Sequence, residues 1–496
     1  MTATSTDPSL QHQAVDAPVP RKPGQVDPVA VAWVLLGLAS SVLMTITGSR
    51  VADIRFHWWF RIVIGSLTTE RVLFYVATVG LVAAWLGLAR FARFDRLAPW
   101  WIALAAFLWC VPLLIGAPLF SHDLYSYLAQ GTVAHIGLSP YRYAPIVLGQ
   151  HGYHHLLHAV DPFWQRNTAP YGPLFLGVIS LIAGLTGSHI FAGLLLVRLF
   201  DFVGLVLLAV FVPRLARRLG TDPTRAVWLA VASPLLLFQL VAPGHNDLLM
   251  AGVMVVGVTL ALEGRPLLGI VVCTIAATIK LPAFTAVLFI AFAWARADRS
   301  WRARIETAAK AAAAAVATAG VVTLVTGFGV GWISTSLFST PGRVRLAITP
   351  ATDISYTIGK LLTSAGASVS FGDVEPVLRA LLFAVSVIIG LVLLLRTRWP
   401  TLVPCLGLTL IAFAFGGPAL WPWYLAWGLV LLAAWRVTQD SRLMVIAIVA
   451  ASLLVKPDGI LLLSRGASPF VVAVWIAIAA IAWVAWRQRP RPLARQ

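Results

Sequence analysis

The sequence places a carboxylate, Asp123, directly after an apolar run. That run covers about residues 98–118 and is long enough to cross a bilayer. His122 precedes the aspartate, and Tyr125 and Tyr127 follow it. If the following residues are helical, Tyr127 shares the face of Asp123 at i+4 and Tyr125 points elsewhere. Such a carboxylate can act as a general base on a hydroxyl group, or it can cap the helix that follows.

Other groups at the ends of apolar runs suit the same chemistry. Arginine and lysine can hold a phosphate, and aromatic faces stack on sugar rings by apolar contact. Together with a carboxylate, they suit the transfer of a sugar from a membrane-bound phosphate carrier to a hydroxyl. A second polar set is His245, Asn246 and Asp247; the cations are Arg198, Lys280, Arg343 and Arg345; the aromatic residues are Tyr125, Tyr127, Tyr141, Trp164, Tyr171, Trp421, Trp423 and Tyr424.

Simpler interpretations stay open for several of these residues. Lys280 can snorkel to the interface, and Arg198 can pair with Asp201 at i+3. The aromatic residues 421–424 can form an interfacial belt. Histidines within residues 151–158 are spaced like metal ligands on a helix, but no acidic partner is placed with them.

The composition is that of a polytopic membrane protein. Hydrophobic residues make up 59% of the chain and charged residues 11%, and the mean hydropathy is +0.86. The net charge of +18 does not indicate a nucleic-acid partner, because the arginine clusters flank apolar spans and orient them. The three cysteines fall inside apolar runs and indicate neither a disulfide framework nor a metal site.

Hydropathy and charge predict an all-α protein of about fourteen transmembrane helices with both termini in the cytoplasm. Residues 1–27 are expected to be a disordered cytoplasmic segment, 28–486 the membrane domain, and 487–496 a basic cytoplasmic tail. Two large extracytoplasmic loops are expected at about residues 120–172 and 327–374. An amphipathic interfacial stretch is expected around residues 57–61, and later spans at about 228–241, 266–281, 282–295, 307–326, 377–394, 401–416, 425–436, 441–456 and 468–486.

One apolar run, residues 173–187, is ambiguous. If it crosses the membrane, the cluster of Arg214, Arg217 and Arg218 lies outside. If it only dips into the outer leaflet, the span at about 198–212 carries that cluster inside. We choose the dip, because the positive-inside rule is then satisfied.

Five short segments resemble a known family, the polyprenyl-phosphate-mannose-dependent α-1,6-mannosyltransferases of actinobacteria. These enzymes belong to the GT-C class of multi-span glycosyltransferases, which act on the outer side of the membrane. The likeness extends from about residue 30 to residue 485. The segments are SHDLYSYLAQG at 121–131, GLSPY at 137–141, TAPYGP at 168–173, GHND at 244–247 and WPWY at 421–424.

The resemblance implies inverting transfer of mannose from polyprenyl-phosphate mannose to a mannan or lipomannan acceptor, forming α-1,6 linkages outside the plasma (inner) membrane. In this class an aspartate of the first outer loop is the general base, which matches Asp123. Because the leaving lipid phosphate is met by cations, and no Asp-X-Asp motif occurs, we expect neither a metal nor another cofactor. The expected partners are membrane lipid, the lipid-linked donor and the glycan acceptor.

The family often has arginine where His122 stands and aspartate where Ser139 stands, and the second difference indicates that residue 139 is not catalytic. The residues expected to bind the donor phosphate are Lys280, Arg198, His245, His122 and Arg343. The residues expected to bind the sugar or the acceptor are Tyr125, Tyr127, Tyr141, Trp164, Tyr171, Asn246, Asp247, Trp421, Trp423 and Tyr424.

Two other functions stay open on the residues alone. A different GT-C enzyme could transfer arabinose or galactosamine from a polyprenyl phosphate. A lipid flippase or transporter would need ionisable residues at mid-membrane and symmetry between repeats, and the sequence offers little of either.

Overall fold

The computed structural model describes residues 27–52, 62–93, 97–336, 343, 345 and 348–462. Predictions for residues 1–26, 57–61 and 463–496, which include the interfacial stretch, the last span and the basic tail, lie outside the described residues. The helices are Pro28–Val51 (α1), Leu67–Arg93 (α2), Pro99–Ile115 (α3), Asp123–His135 (α4), His154–Ala159 (α5), Pro162–Gln165 (α6), Pro173–Thr186 (α7), Ile190–Arg218 (α8), Pro223–Ala230 (α9), Pro234–Leu236 (α10), Asp247–Leu262 (α11), Pro266–Ala277 (α12), Phe284–Ala297 (α13), Trp301–Thr326 (α14), Gly331–Ser334 (α15), Pro350–Ser364 (α16), Phe371–Arg396 (α17), Leu402–Gly416 (α18), Leu425–Leu432 (α19), Arg436–Gln439 (α20) and Arg442–Ser452 (α21).

The described residues confirm an all-α polytopic membrane protein. Within them, the only strand-like pairing is a single bridge between Val455 and Leu461. Seven helical stretches are long and apolar enough to cross a membrane, and shorter apolar helices lie between them. The predicted total of about fourteen spans stays a prediction. The seven stretches are Pro28–Val51, Leu67–Ala92, Ile190–Arg218, Pro223–Val241, Trp301–Thr326, Phe371–Arg396 and Trp399–Gly416.

Several loops meet at one end of the bundle, called here the aspartate end because Asp123 lies there. The Phe120 amide donates to the carbonyl of Pro457 at 2.9 Å, and the Leu119 amide donates to the carbonyl of Ala242 at 3.4 Å. These bonds bring the first long loop beside two short loops that lie far away in the sequence.

The two predicted long loops also touch each other at the aspartate end. The Ser336 hydroxyl donates to the carbonyl of Pro170 at 2.9 Å, and Arg343 Nη1 donates to Asn167 Oδ1 at 2.8 Å. These contacts bring described parts of the two loops together, and the extracytoplasmic position of the loops stays a prediction.

Arginines and their acidic partners collect at the opposite end, called here the arginine end. Both carboxylate oxygens of Glu263 accept hydrogen bonds from Arg214, and Arg225 pairs with Asp440 at 2.5 Å. Arg214 belongs to a cluster that the positive-inside rule assigns to the cytoplasm, and the side of the membrane that this end faces stays a prediction.

The ambiguous run 173–187 forms α7 and does not connect the two ends. It begins at the aspartate end, where the Gly172 amide donates to the carbonyl of Ile279 at 2.9 Å. The next helix, α8, passes the aspartate end again at Arg198 and reaches the arginine end at Arg214. Whether α7 dips into the outer leaflet stays a prediction. Helix α8 starts at Ile190, earlier than the expected span, and is about 43 Å long at 1.5 Å per residue.

Two predicted boundaries differ from the structure. The loop expected at 327–374 contains α16, an amphipathic helix that buries the polar residues Asp353 and Ser355 and is not apolar enough to be counted as a span. The span expected at 228–241 is interrupted at Ser233, whose hydroxyl accepts a hydrogen bond from the amide of Leu236 just after Pro234. Proline has no amide hydrogen, so the chain starts a new helix there.

Candidate active site

Asp123 is the first residue of α4, and its carboxylate does not cap that helix. Its Oδ1 accepts a hydrogen bond from the indole Nε1 of Trp164 at 2.8 Å, and its Oδ2 lies 3.6 Å from Nε2 of His245. The first amides of the helix are satisfied locally, since the Tyr125 amide donates to the carbonyl of His122 at 3.1 Å. The capping alternative is therefore wrong. The side chain is 18% exposed, so a substrate hydroxyl can approach it.

The chain segment before Asp123 is held in an uncommon conformation. Phe120 has a φ of 66°, a left-handed backbone conformation that residues other than glycine rarely adopt. The hydrogen bond from its amide to the carbonyl of Pro457 holds it there, together with the stacking of its ring on that of Phe238, with ring centroids 5.5 Å apart. Strained backbone of this kind clusters at functional sites, where surrounding contacts fix it.

Burial raises the pKa of Asp123 to about 6, while the hydrogen bond from Trp164 and the positive charge of Lys280 act in the opposite direction. A carboxyl group with this pKa is ionised at neutral pH, and it is more basic than an ordinary aspartate. Both properties suit a general base.

His245 lies behind Asp123, and a π-helical turn at Leu237–Val241 holds it. Its Nδ1 lies 2.7 Å from the carbonyl oxygen of Gln239. A carbonyl can only accept, so Nδ1 carries the hydrogen and Nε2 of the neutral ring presents a lone pair to Asp123. Burial lowers the pKa of His245 to about 4, which keeps the ring neutral. The side chain is 0% exposed, which does not fit the predicted contact with a donor phosphate.

A second carboxylate, Asp247, forms a buried ion pair beside this site. Lys280 Nζ lies 2.7 Å from Asp247 Oδ2, and the indole of Trp427 donates to Oδ1 at 2.6 Å. The ammonium also lies 5.1 Å from the ring centroid of Tyr424 and 5.8 Å from that of Tyr171. Lys280 therefore points into an aromatic enclosure, and the snorkelling alternative is wrong.

Arg198 has a structural position that contradicts both of its expected roles. It is 1% exposed, and its guanidinium donates to the carbonyls of Leu114 (2.8 Å), Gly116 and Ala242. A donor phosphate cannot reach it there. The alternative pairing with Asp201 does not form either, because neither carboxylate oxygen of Asp201 has a hydrogen-bond partner among the described residues.

Aromatic side chains connect the two aspartates. The Tyr127 ring packs edge-on against that of Tyr171, with ring centroids 5.0 Å apart. This position agrees with the place of Tyr127 on the face of Asp123, one helical turn later. Trp421 stacks on Trp423 at 4.5 Å, and the Trp423 ring centroid lies 4.1 Å from that of His245. The residues 421–424 are thus part of the site wall, which the belt alternative does not explain.

Gly172 permits the close contact between the first loop and the Lys280 segment. A Cβ atom at Gly172 would collide with the carbonyl of Thr278, so a larger residue would push Tyr171 away from Lys280. This requirement explains the glycine in the TAPYGP segment.

The remaining predicted residues lie at the rim or beneath the site. Arg343 is exposed and contacts the first loop through Asn167, and His122 lies edge-on to the buried Tyr125 at 6.2 Å. Tyr141 is buried, and its hydroxyl donates to the carbonyl of Tyr171 at 3.0 Å, so it supports the loop and does not face a substrate. Asn246 is fully buried, and its amide has no hydrogen-bond partner in the described part of the chain.

Sequence reasoning missed two residues of the site. Trp427 is one helical turn beyond the Trp-Pro-Trp-Tyr segment, and its spacing from Tyr424 was the available signal. Gln239 contributes through a backbone carbonyl, for which no side-chain pattern exists. Trp164 is predicted to bind sugar, and in the structure its indole nitrogen donates a hydrogen bond to Asp123.

Comparison with known families yields matches over most of the chain. The family described as Alpha-(1->6)-mannopyranosyltransferase, N-terminal domain, matches residues 34–296, and the MptB C-terminal domain matches residues 352–488. The first match covers the elements that carry Asp123, His245, Asp247 and Lys280.

Individual relatives carry the same description. Alpha-(1->6)-mannopyranosyltransferase A of Mycobacterium tuberculosis is 32% identical over 475 residues, which cover 91% of this chain and 88% of that protein. Alpha-(1->6)-mannopyranosyltransferase B of Corynebacterium glutamicum is 29% identical over 381 residues, or 71% of this chain and 62% of that protein. No solved structure is significantly similar to the chain.

Proposed function

The chain belongs to the alpha-(1->6)-mannopyranosyltransferase family and is a glycosyltransferase, and from this premise we propose its donor, its acceptor and its side of the membrane. The donor is polyprenyl-phosphate mannose, and the acceptor is a mannan or lipomannan chain that is extended through an α-1,6 linkage. The reaction takes place on the extracytoplasmic face of the plasma membrane.

One observation carries the proposal: a partly exposed carboxylate of raised pKa stands near a partly exposed lysine at a single end of a membrane bundle. The opposite end carries the arginine clusters, which by the positive-inside rule face the cytoplasm. Asp123 then faces outward, where nucleotide sugars are absent and a lipid-linked donor is required.

The transfer is a single displacement. Asp123 Oδ2 takes the proton of the acceptor 6-hydroxyl, because Oδ1 is occupied by the indole hydrogen of Trp164. The acceptor oxygen attacks the anomeric carbon as the bond from that carbon to the phosphate oxygen breaks. Polyprenyl phosphate leaves with both electrons of that bond, and a β-linked donor gives an α-linked product.

His245 favours the protonated form of Asp123 that this step creates. While Asp123 is ionised, its Oδ2 faces the lone pair of His245 Nε2 at 3.6 Å, which is not a favourable contact. Once Oδ2 carries the proton, it can donate to that lone pair. The neutral ring therefore increases the basicity of Asp123 in the direction that the reaction needs.

Lys280 is the cation best placed for the carrier phosphate. Its ammonium has three hydrogens, and the contact with Asp247 Oδ2 uses one of them. The side chain is 12% exposed, so the others can meet phosphate oxygens as negative charge builds on the leaving group. Exposed Arg343 can meet the same phosphate from the rim.

A reconstituted assay tests the donor and the linkage. Purified protein in liposomes receives a short α-1,6-mannoside with polyprenyl-phosphate mannose, polyprenyl-phosphate arabinose, or a nucleotide-linked mannose. We expect an α-1,6-linked product only from the first donor, and we expect a chelator to leave the rate unchanged. Transfer of arabinose, transfer from the nucleotide donor, or lipid movement without transfer would each contradict the proposal.

Site-directed labelling tests the side of the membrane. The three native cysteines are buried, so an introduced cysteine reports its own position. In intact cells, an impermeant thiol reagent is expected to label the Gln150→Cys variant and to label Arg299→Cys only after the cells are opened. The reverse pattern would place Asp123 in the cytoplasm.

A further inference from the structure

A cavity of about 820 Å³ lies at the arginine end, far from Asp123. It is bounded by the last turn of α13, the first turns of α14 and the residues that lead into α18. None of the described residues that line it takes part in the proposed transfer. Its polar and aromatic lining residues are Arg296, Arg304, Arg398, Trp301 and Trp399.

The three arginines give the cavity a positive charge that no described residue of its lining neutralises. No acidic residue is among the described residues of its wall. Arg296 Nη1 donates to the carbonyl of Leu395 at 2.5 Å, and Arg304 Nε donates to the carbonyl of Asp298 at 3.0 Å. These bonds orient the guanidinium groups without cancelling their charge. The nearby carboxylate of Glu306 pairs with Arg302 and not with a cavity arginine.

The rest of the wall is apolar, and the cavity lies where membrane helices begin and end. Phe292, Ile305 and Ala308 line it, and Trp301 at the start of the long apolar helix α14 is 74% exposed. Tryptophan and arginine at such a level are typical of the membrane–water interface. The cavity therefore combines a site for an anion with a path for an apolar chain.

We propose that this cavity binds an anionic phospholipid of the leaflet at the arginine end. The arginines hold the lipid phosphate through charge-assisted hydrogen bonds, and an acyl chain lies against Ile305 and Ala308 of α14. Charge complementarity argues against the protein's own C-terminal segment as the occupant, since residues 463–496 contain five arginines and no acidic residue.

Lipid binding to the full-length purified protein tests this site, with native mass spectrometry as the readout. Phosphatidylglycerol and phosphatidylcholine of equal chain length are titrated onto the wild type and onto the double variant Arg304→Gln/Arg398→Gln. We expect tight phosphatidylglycerol adducts on the wild type, and about ten-fold weaker binding to the double variant. Equal binding of the two lipids to the wild type would overturn the proposal.

The matched control is Arg217→Gln/Arg299→Gln, which removes the same charge from exposed positions outside the cavity. It is expected to keep wild-type affinity, and an equal loss would reduce the effect to general surface charge and overturn the proposal. Displacement of phosphatidylglycerol by millimolar inorganic phosphate, or a preference for polyprenyl phosphate, would also overturn it. If the glutamine variant fails to fold, Arg304→Lys/Arg398→Lys replaces it, with a smaller loss expected because lysine keeps the charge but not the planar fork.

Discussion

Asp123 and Asp247 lie in the same site and each accepts a hydrogen bond from a tryptophan indole, but their other contacts differ. Asp247 is 0% exposed and has the ammonium of Lys280 at 2.7 Å from its second oxygen. Asp123 is 18% exposed, and its second oxygen faces the lone pair of His245. One carboxylate is neutralised by a cation, whereas the other faces a group that can only accept a proton.

This difference separates two tasks that both need an acidic residue. The pair of Asp247 with Lys280 fixes a cation among aromatic rings, where it can meet a phosphate. Asp123 has no cation in contact with its carboxylate among the described residues, and burial raises its pKa above that of an ordinary aspartate. If both aspartates were paired with a lysine, each would hold a cation and neither carboxylate would be available as the general base.

The largest expected effect comes from replacing each aspartate by its amide. Asp123→Asn is expected to lower kcat by about 10³-fold or more with little change in KM for the donor, because the general base is lost. Asp247→Asn is expected to affect the KM for the donor more than Asp123→Asn does, because it frees and displaces Lys280. Steady-state assays with polyprenyl-phosphate mannose measure both variants.

Thermal unfolding in detergent is the control for this pair. Asp123→Asn should unfold like the wild type, because none of the described residues places a cation against its carboxylate. Near-normal transfer by Asp123→Asn would remove this residue from the mechanism, and equal kcat losses in the two variants would abolish the distinction between them.

Much of the site could be predicted from the sequence, because its charged residues all stand at the ends of apolar runs. Asp123, His245, Asp247 and Lys280 were placed at one end by counting spans and applying the charge rule. Their pairing could not be predicted, because it depends on the rotation of each helix about its axis. The same span counting put Arg198 at the correct end but could not reveal that its side chain points to backbone carbonyls.

Elements that hydropathy alone does not reveal were also missed. Helix α16 has apolar residues at helical spacing, Ile354, Ile358 and Leu361, but its mean hydropathy is too low for a membrane span, so counting spans missed it. The π-helical turn before His245 lies within an apolar stretch that predicts an ordinary span. For the π-helical turn, tertiary contacts decide the local structure, and no sequence pattern indicates it.

A smaller effect is expected from separating Lys280 from Asp247. Lys280→Met leaves a buried carboxylate without its cation, and we expect a loss of about 3–5 kcal/mol in stability together with a loss of donor binding. In Lys280→Met/Asp247→Asn the unpaired charge is gone, so stability should largely return while donor binding does not. Unfolding temperatures and donor KM separate the two effects. A double variant as unstable as the single one would mean that the pair is not the source of the stability.

Two variants of His245, similar in size, test whether its ring nitrogen supports the protonated form of Asp123. In His245→Asn the amide can keep the bond to the carbonyl of Gln239 but leaves a gap beside Asp123, whereas in His245→Gln the amide can reach the position of Nε2. We expect His245→Asn to lower kcat by about ten-fold, and His245→Gln to restore part of it, since its oxygen can accept from protonated Asp123. Identical rates for the two variants would show that the ring only fills space.

The smallest expected effect is a shift in pH dependence when each indole donor is removed. Asp123 is active when ionised, so transfer falls as the pH decreases through its pKa of about 6. The hydrogen bond from Trp164 lowers that pKa, so Trp164→Phe should raise it and move the acidic limb of kcat/KM upward by about half to one pH unit. Trp427→Phe removes the equivalent bond from Asp247 and should leave the limb in place, because Asp247 does not take the proton. A shift of the limb in Trp427→Phe but not in Trp164→Phe would mean that the titrating base is Asp247, and the roles of the two aspartates would have to be exchanged.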